Sequence, residues 1–160
     1  MNVSKIYKFD VANGEGIRVS LFVSGCDFKC KGCFNPESQN YNYGITYDKH
    51  IKKQILDILK HPDYKGLSLL GGDPLRQHQE GLEQLIDLCK DVHALGKNVW
   101  IWSGYKYDEV MKLPGDDVEN KLRKELLNQA DYFVEGKFIE EEKDLSLAWR
   151  GSKNQRVLHL

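Results

Sequence analysis

Arg18-Val19-Ser20-Leu21-Phe22-Val23-Ser24-Gly25-Cys26-Asp27-Phe28-Lys29-Cys30-Lys31-Gly32-Cys33-Phe34 is the stretch that decides how the chain reads. Its first six residues are rich in β-branched and apolar side chains and stop at Ser24-Gly25, the pattern of a buried strand opening into a loop. Three cysteines follow on that loop at the spacing C-x3-C-x2-C.

Outward from this stretch, strand and helix signals alternate. From Thr46, which reads as an N-cap, Ile51, Ile55, Ile58 and Leu59 recur at helical spacing until Pro62 ends the run. Gly66-Leu67-Ser68-Leu69-Leu70 is too short and too sharply bounded for a helix; it reads as a strand stopped by Gly71-Gly72-Asp73-Pro74. A second helix is marked by Leu82, Leu85, Ile86, Cys89 and Val92, and Val99 to Trp102 is strand-like. A helical region over Leu122 to Ala130 and a strand at Tyr132-Phe133-Val134 complete the series. Such alternation points to βαβ units on a mostly parallel sheet, with ligands bound outside the carboxyl ends of the strands. The cysteine loop, Gly71-Gly72-Asp73, Ser103-Gly104-Tyr105 and Glu135-Gly136-Lys137 each follow a strand and are expected at one mouth. Four strands are visible, five or six with irregular ends, so the expectation is an α/β fold built as a partial, open (βα) barrel rather than a closed one.

The totals agree with one domain over residues 1–160, since 160 residues suit a single core. A composition 41% hydrophobic and 29% charged is that of an ordinary globular protein, not a disordered or fibrous one. A net charge of −1 supplies no global field for nucleic acid or an anionic membrane. The sequence holds no apolar run of membrane-spanning length, and Met1 to Asp10 is polar and mixed, so a cytoplasmic setting is expected. Thiols are kept reduced there, which turns attention from disulfides to metal chemistry.

Thiolates are the soft ligands that iron–sulfur clusters take, and one short loop can wrap three of them around three corners of a cube. A fully ligated four-iron cluster takes four cysteines, but Cys89 lies far along the chain on the apolar face of a helix and reads as a small core residue. One iron is then left for a substrate. A closed zinc site is the plainer alternative, but it needs four ligands, and no second two-ligand hook appears among the scattered histidines.

The stretch Cys26 to Phe34, C-x3-C-x2-C followed by an aromatic residue, resembles the signature of the radical S-adenosylmethionine superfamily. Asn13-Gly14-Glu15-Gly16-Ile17-Arg18, Phe22 and Asn35-Pro36-Glu37 extend the likeness to activating enzymes of glycyl-radical proteins. Gly71-Gly72-Asp73-Pro74-Leu75, Trp102-Ser103-Gly104-Tyr105, Trp149-Arg150-Gly151-Ser152 and Asn154-Gln155 resemble the branch that activates anaerobic ribonucleoside-triphosphate reductases. The resemblance implies that Cys26, Cys30 and Cys33 ligate a [4Fe-4S] cluster whose fourth iron takes the methionine part of S-adenosylmethionine. It also implies reductive cleavage to methionine and a 5′-deoxyadenosyl radical, with the cofactor carrying the hard chemistry. The implied partners are the large reductase subunit, which receives a glycyl radical, and reduced flavodoxin or ferredoxin as electron donor.

By the same resemblance, Gly32, Cys33 and Phe34 form a wall against S-adenosylmethionine. Gly71, Gly72 and Asp73 receive its ammonium group through backbone carbonyls and the Asp73 carboxylate, the bland alternative being a plain turn. Lys137 either pairs with the methionine carboxylate or is a solvated surface lysine, and Glu135 stands where related enzymes more often have Asp. Arg18 either braces the cysteine loop or sits at the sheet edge. The tail Arg150 to Arg156 binds the adenosine part or the partner, and Tyr41, Tyr43 and Tyr47 are local packing or a partner surface. Two other functions fit parts of the pattern: a small radical enzyme acting on a metabolite, and a non-catalytic iron–sulfur electron carrier. A sealed small-molecule cavity would count against a protein substrate.

Overall fold

The computed structural model describes residues 1–160. Seven strands form one sheet: β1 Asn2–Asp10, β2 Ile17–Val23, β3 Ile45–Thr46, β4 Tyr64–Gly71, β5 Asn98–Ser103, β6 Tyr132–Glu135 and β7 Arg156–His159. Four helices connect them: α1 Lys49–Leu59, α2 Gln79–Ala94, α3 Tyr107–Met111 and α4 Val118–Asn128. The sheet order is β3-β1-β2-β4-β5-β6-β7. The central strands β2, β4, β5 and β6 run parallel, whereas β1, β3 and β7 add antiparallel at the margins. The sheet is mostly parallel through its centre, and its ends do not meet.

Alternation along the strands sorts the side chains onto two faces. Val19, Leu21, Val23, Leu67, Leu69, Val99, Ile101 and Phe133 point one way and join a buried cluster of 23 residues. The helices fill the other half of that cluster: Ile55 and Leu59 from α1, Leu82, Leu85, Leu88 and Val92 from α2, Val110 from α3, Leu126 and Leu127 from α4. Cys89 is fully buried there, as its helical position indicates.

The opposite face carries Arg18, Ser20, Phe22, Ser68, Leu70, Trp100 and Trp102, and loops rather than helices cover it. Arg18 is wholly buried, donates to Ser68 Oγ at 2.7 Å, to the Leu67 carbonyl at 2.8 Å and to the Glu15 carbonyl at 3.1 Å, and lies 5.6 Å from the Trp100 ring. Burial pulls its guanidinium down to about 10, a cost opposed by the nearby Asp10 and Asp131 carboxylates. It therefore ties β2 to β4 at the end away from the cysteines, and neither braces their loop nor sits at the sheet edge.

Three expectations need correction. The sheet has seven strands, not four to six, because the marginal strands lack a clean apolar alternation: in β1 only Val3 and Asp10 are buried, and its register against β2 slips twice. Helix α1 is capped by Asp48, whose side chain accepts from the N–H groups of His50 and Ile51, not by Thr46, which lies in β3. The residues Tyr107–Met111 form a short helix that the sequence does not announce. No helix is long and apolar enough to cross a membrane.

Candidate iron–sulfur site

The carboxyl ends of β2, β4, β5 and β6 meet at one cavity of about 520 Å³ that is open to solvent. Cys26, Cys30 and Cys33 line it, facing Gly71, Gly72 and Asp73, with Gly104 and Lys137 beside them. The four post-strand loops expected to converge do so. Deeper in, the cavity runs onto the helix-free face, where Phe22, Leu70, Trp102 and Trp149 form its wall.

Close backbone approach fixes the Gly-Gly element against the start of the cysteine loop. The Gly72 N–H donates to the Val23 carbonyl at 2.7 Å and the Asp73 N–H to the Gly25 carbonyl at 2.9 Å. A Cβ on Gly72 would stand 2.6 Å from the Gly25 carbonyl oxygen and 2.7 Å from that of Ser38, so no larger residue fits. Gly71 has φ +108°, a conformation that L side chains rarely adopt.

Asp73 is buried and fully engaged. Its carboxylate accepts from the Leu75 N–H at 2.8 Å, from Ser103 Oγ at 2.9 Å on both oxygens, and from the Gly104 N–H at 2.7 Å. Burial pushes its carboxyl up to about 6 despite the opposing donors from Gly104, Ser103 and Leu75. These contacts make it the link between the loops after β4 and β5. These contacts give the Asp73 carboxylate an internal role as well as its place on the cavity wall.

Burial pushes the Cys26 thiol up to about 12, with the Asp73 carboxylate adding to the effect and the Phe28 N–H opposing it. Burial also raises Cys30, against the Phe138 N–H. A metal takes the thiolate, so binding one here would release the protons that burial favours on these thiols. No group of three or more His, Cys, Asp or Glu side chains is drawn together as ligands of one ion. A cubane makes no such demand, because it takes each thiolate on a different iron. The donor set of three cysteines around one open cavity fits a cluster better than a closed zinc site.

Of the other residues singled out in the sequence, Phe34 lines the cavity and lies 4.8 Å from the Phe138 ring. Gly32 does not line it. With φ +72° it turns the chain between Lys31 and Cys33, and the Cys33 N–H donates to the Cys30 carbonyl at 3.2 Å. Lys137 lines the cavity, makes no ion pair, and rests its ammonium 4.8 Å from the Phe28 ring. Glu135 is buried and clamps the edge of the site: its carboxylate accepts from the Tyr107 N–H at 2.6 Å and pairs with Arg156 of β7. The tail folds back beneath Lys137. The Gln155 amide donates to the Gly136 carbonyl at 2.8 Å and the Asn154 amide to the Lys137 carbonyl at 2.7 Å. Tyr47 is buried in the core and Tyr41 stacks on His78 with its hydroxyl on the Arg76 carbonyl, so both are packing, while Tyr43 is exposed.

Sequence reasoning passed over Arg76 and Trp149. The first directly follows the Gly-Gly-Asp-Pro-Leu element but meets its partners across long sequence separations. The second stands in a tail motif that gives it no role of its own; its carbonyl accepts from Trp102 Nε1 at 2.7 Å and its ring stands edge-on to Trp100 at 4.9 Å.

Residues 12–158 match the family described as 4Fe-4S single cluster domain, a class of single-cluster iron–sulfur proteins that agrees with cysteines gathered at the carboxyl end of a mostly parallel sheet. Within that class, the chain belongs to the family of anaerobic ribonucleoside-triphosphate reductase-activating proteins. It is 41% identical over 163 residues to the relative so named from Haemophilus influenzae, covering 99% of this chain and 97% of that one. It is 38% identical to the Escherichia coli K12 relative, covering 100% and 99%. It is 36% identical to the one from Enterobacteria phage T4, covering 98% and 93%.

Proposed function

We propose that this chain activates an anaerobic ribonucleoside-triphosphate reductase by generating a glycyl radical on its large subunit, using a [4Fe-4S] cluster held by Cys26, Cys30 and Cys33. The observation that carries the reading is the joint placement of the three thiols, the Gly71-Gly72 backbone and the Lys137 ammonium around one open cavity. A bound, reduced cluster would supply the electron for cleavage of S-adenosylmethionine to methionine and a 5′-deoxyadenosyl radical, which would take hydrogen from a glycine Cα.

The chain's own residues bind and orient. Cys26, Cys30 and Cys33 would hold three irons and leave the fourth for a ligand, since Cys89 is sealed in the core. The backbone carbonyls of Gly71 and Gly72 offer acceptors for the ammonium end of S-adenosylmethionine, and Lys137 offers a mobile counter-charge for its carboxylate. Phe34 and Cys33 form a wall beside them. Asp73 holds the loops after β4 and β5 in register by its internal bonds.

The architecture goes with this chemistry. Helices on one face and loops on the other suit an open (βα) half-barrel, working as one domain over residues 1–160. An open cavity with aromatic walls suits a protein segment as substrate better than a metabolite, which needs enclosure. A cytoplasmic setting and a reduced flavodoxin or ferredoxin donor complete the proposal.

The test is anaerobic: load the chain with iron and sulfide, reduce it, add S-adenosylmethionine, and quantify 5′-deoxyadenosine for the wild type and for Cys30→Ala. Product from the wild type alone supports the reading, and addition of the reductase then tests for a glycyl-radical signal. An intact reduced cluster that yields no product would instead favour an electron carrier.

A further inference from the structure

The cysteine loop has almost no backbone support of its own. Between Asp27 and Gly32 no N–H donates to a backbone carbonyl; the nearest such bonds are those of Cys26 to Gln39 and of Cys33 to Cys30. Apart from the Phe28 and Phe138 N–H groups on the Cys26 and Cys30 sulfurs, the spacing of these cysteines depends on side chains, and those of Asp27 and Phe28 converge on one residue. Arg76 takes the Asp27 carboxylate in a two-nitrogen grip, Nε to Oδ1 at 2.5 Å and Nη2 to Oδ2. Its third nitrogen donates to the Tyr105 hydroxyl at 2.5 Å. The guanidinium lies 5.1 Å from the Phe28 ring and 5.4 Å from that of Tyr105, and the two rings meet edge to face at 5.2 Å. A Cβ on Gly104 would stand 2.6 Å from the Phe28 ring, so the ring is seated against bare backbone.

Arg76 is itself held. It closes a single 3-10 turn, Pro74–Arg76, that Asp73 caps through the Leu75 N–H, and its carbonyl accepts from Tyr41 at 2.9 Å. It thus joins three sides of the cavity: the cysteine loop, the turn after the Gly-Gly element and the loop after β5.

We infer that Arg76 is the positioning residue of the cysteine loop, setting the separation of Cys26 and Cys30 by gripping Asp27 and Phe28. The inference rests on the reading that these cysteines hold the cluster. Arginine is required because only a planar guanidinium can take a carboxylate with two nitrogens, reach a hydroxyl with a third and stack on rings at once; a lysine offers a point charge. Ion pairs this exposed, 27% for Arg76 and 48% for Asp27, contribute little to global stability. Their purpose is therefore local geometry, and the effect belongs in the cluster rather than in the unfolding midpoint.

The experiment uses the full chain as wild type, Arg76→Lys, Arg76→Ala, Asp27→Asn and Asp27→Asn/Arg76→Ala. Lys90→Ala, which breaks an exposed pair with Glu125 between α2 and α4, is the control. The first measurement is the rate at which iron passes from the reconstituted cluster to a chelator under anaerobic conditions. Partners that orient metal ligands are typically worth 10- to 100-fold in affinity, so release from Arg76→Ala should be about 10-fold faster or more. Asp27→Asn should be close behind, the double variant no worse than Arg76→Ala, and Arg76→Lys should fail to restore the wild-type rate. The second is amide hydrogen exchange in the metal-free chain: residues 27–33 should exchange faster in Arg76→Ala while β2 and β4 keep their protection.

Wild-type release from Arg76→Ala, full rescue by Arg76→Lys, or additive effects of the two single changes would each overturn the inference. If the wild type loads a cluster but makes no 5′-deoxyadenosine, the proposed function fails and the release rates still judge Arg76. If it takes up no cluster, the exchange of residues 27–33 decides whether Arg76 orders the loop.

Discussion

Asp73 gives the sharpest quantitative test. Its carboxyl is lifted by burial from an ordinary 3.8 to about 6. A group whose folded value lies above its unfolded one stabilises the fold when protonated: that contribution is complete below about 3.8 and is lost as pH rises through about 6. The interval is worth about 3 kcal/mol at ~1.36 kcal/mol per pKa unit, and about 2 kcal/mol of it disappears between roughly pH 4.5 and 7.5. Asp73→Asn keeps the shape and one acceptor oxygen but cannot titrate. The metal-free wild type should therefore lose about 2 kcal/mol relative to the variant across that range, or about 4–8 °C in Tm for a chain of this length. Asp10 runs the other way, because hydrogen bonds from Ser20, Asn13 and Ala12 outweigh its burial and hold it low, but its contribution cancels in the difference between the two proteins. Urea unfolding at several pH values measures the difference. A difference flat to within about 0.5 kcal/mol would show that Asp73 stays ionised throughout and that its donors, not its burial, govern it.

Three further outcomes are expected. Gly72→Ala must push its loop away from the carbonyls of Gly25 and Ser38, and overpacking of this kind costs about 1–3 kcal/mol; the urea midpoint and the iron held per chain should both fall, and an unchanged iron content would refute the close-approach argument. Leu69→Ala, at a fully buried position under the helices, should cost about 2–5 kcal/mol in urea unfolding, and a value below that would mean the core closes over the gap. In the metal-free chain at neutral pH, Cys26 should react with a disulfide reagent about 30-fold slower than a free cysteine, since its raised thiol cuts the thiolate more than basicity compensates; mass spectrometry of the labelled peptide reads the rate, and free-thiol behaviour would place Cys26 outside its burial.

The parallel centre of the sheet was legible because buried strands and amphipathic helices leave opposite marks: Leu67 to Leu70 is a short apolar block, whereas Leu82, Leu85, Ile86, Cys89 and Val92 recur at helical spacing. The margins were not, since a strand such as Arg156–His159 is only four residues long and is held by its neighbour β6 and by Glu135 rather than by its own pattern. At the site, the cysteine spacing and the glycine pair stood out as local motifs. The internal bonds of Asp73 were not legible, because a carboxylate's partners depend on the fold: Ser103 is 30 residues away. Arg76 and Asp27 lie 49 apart, and nothing within one sequence pairs them. Gly32 beside Cys33 looked like cavity wall, yet its positive φ assigns it to the turn.

The two outermost strands also govern how copies of the chain behave when crowded. An unpaired strand edge can template another chain, and proteins blunt such edges by keeping them short or charged. Here one margin is β3, only Ile45 and Thr46, and the other is β7, which opens with a charged Arg156. A stray chain would find two residues of ladder on β3 and four on β7, but β3 covers only Asn2 and Val3 of β1, so the outer edge of β1 from Ser4 to Asp10 is the longest ladder left open. Sheet-driven pairing should therefore start on β1, where Lys5 and Lys8 place charges along the open edge, rather than on β3 or β7.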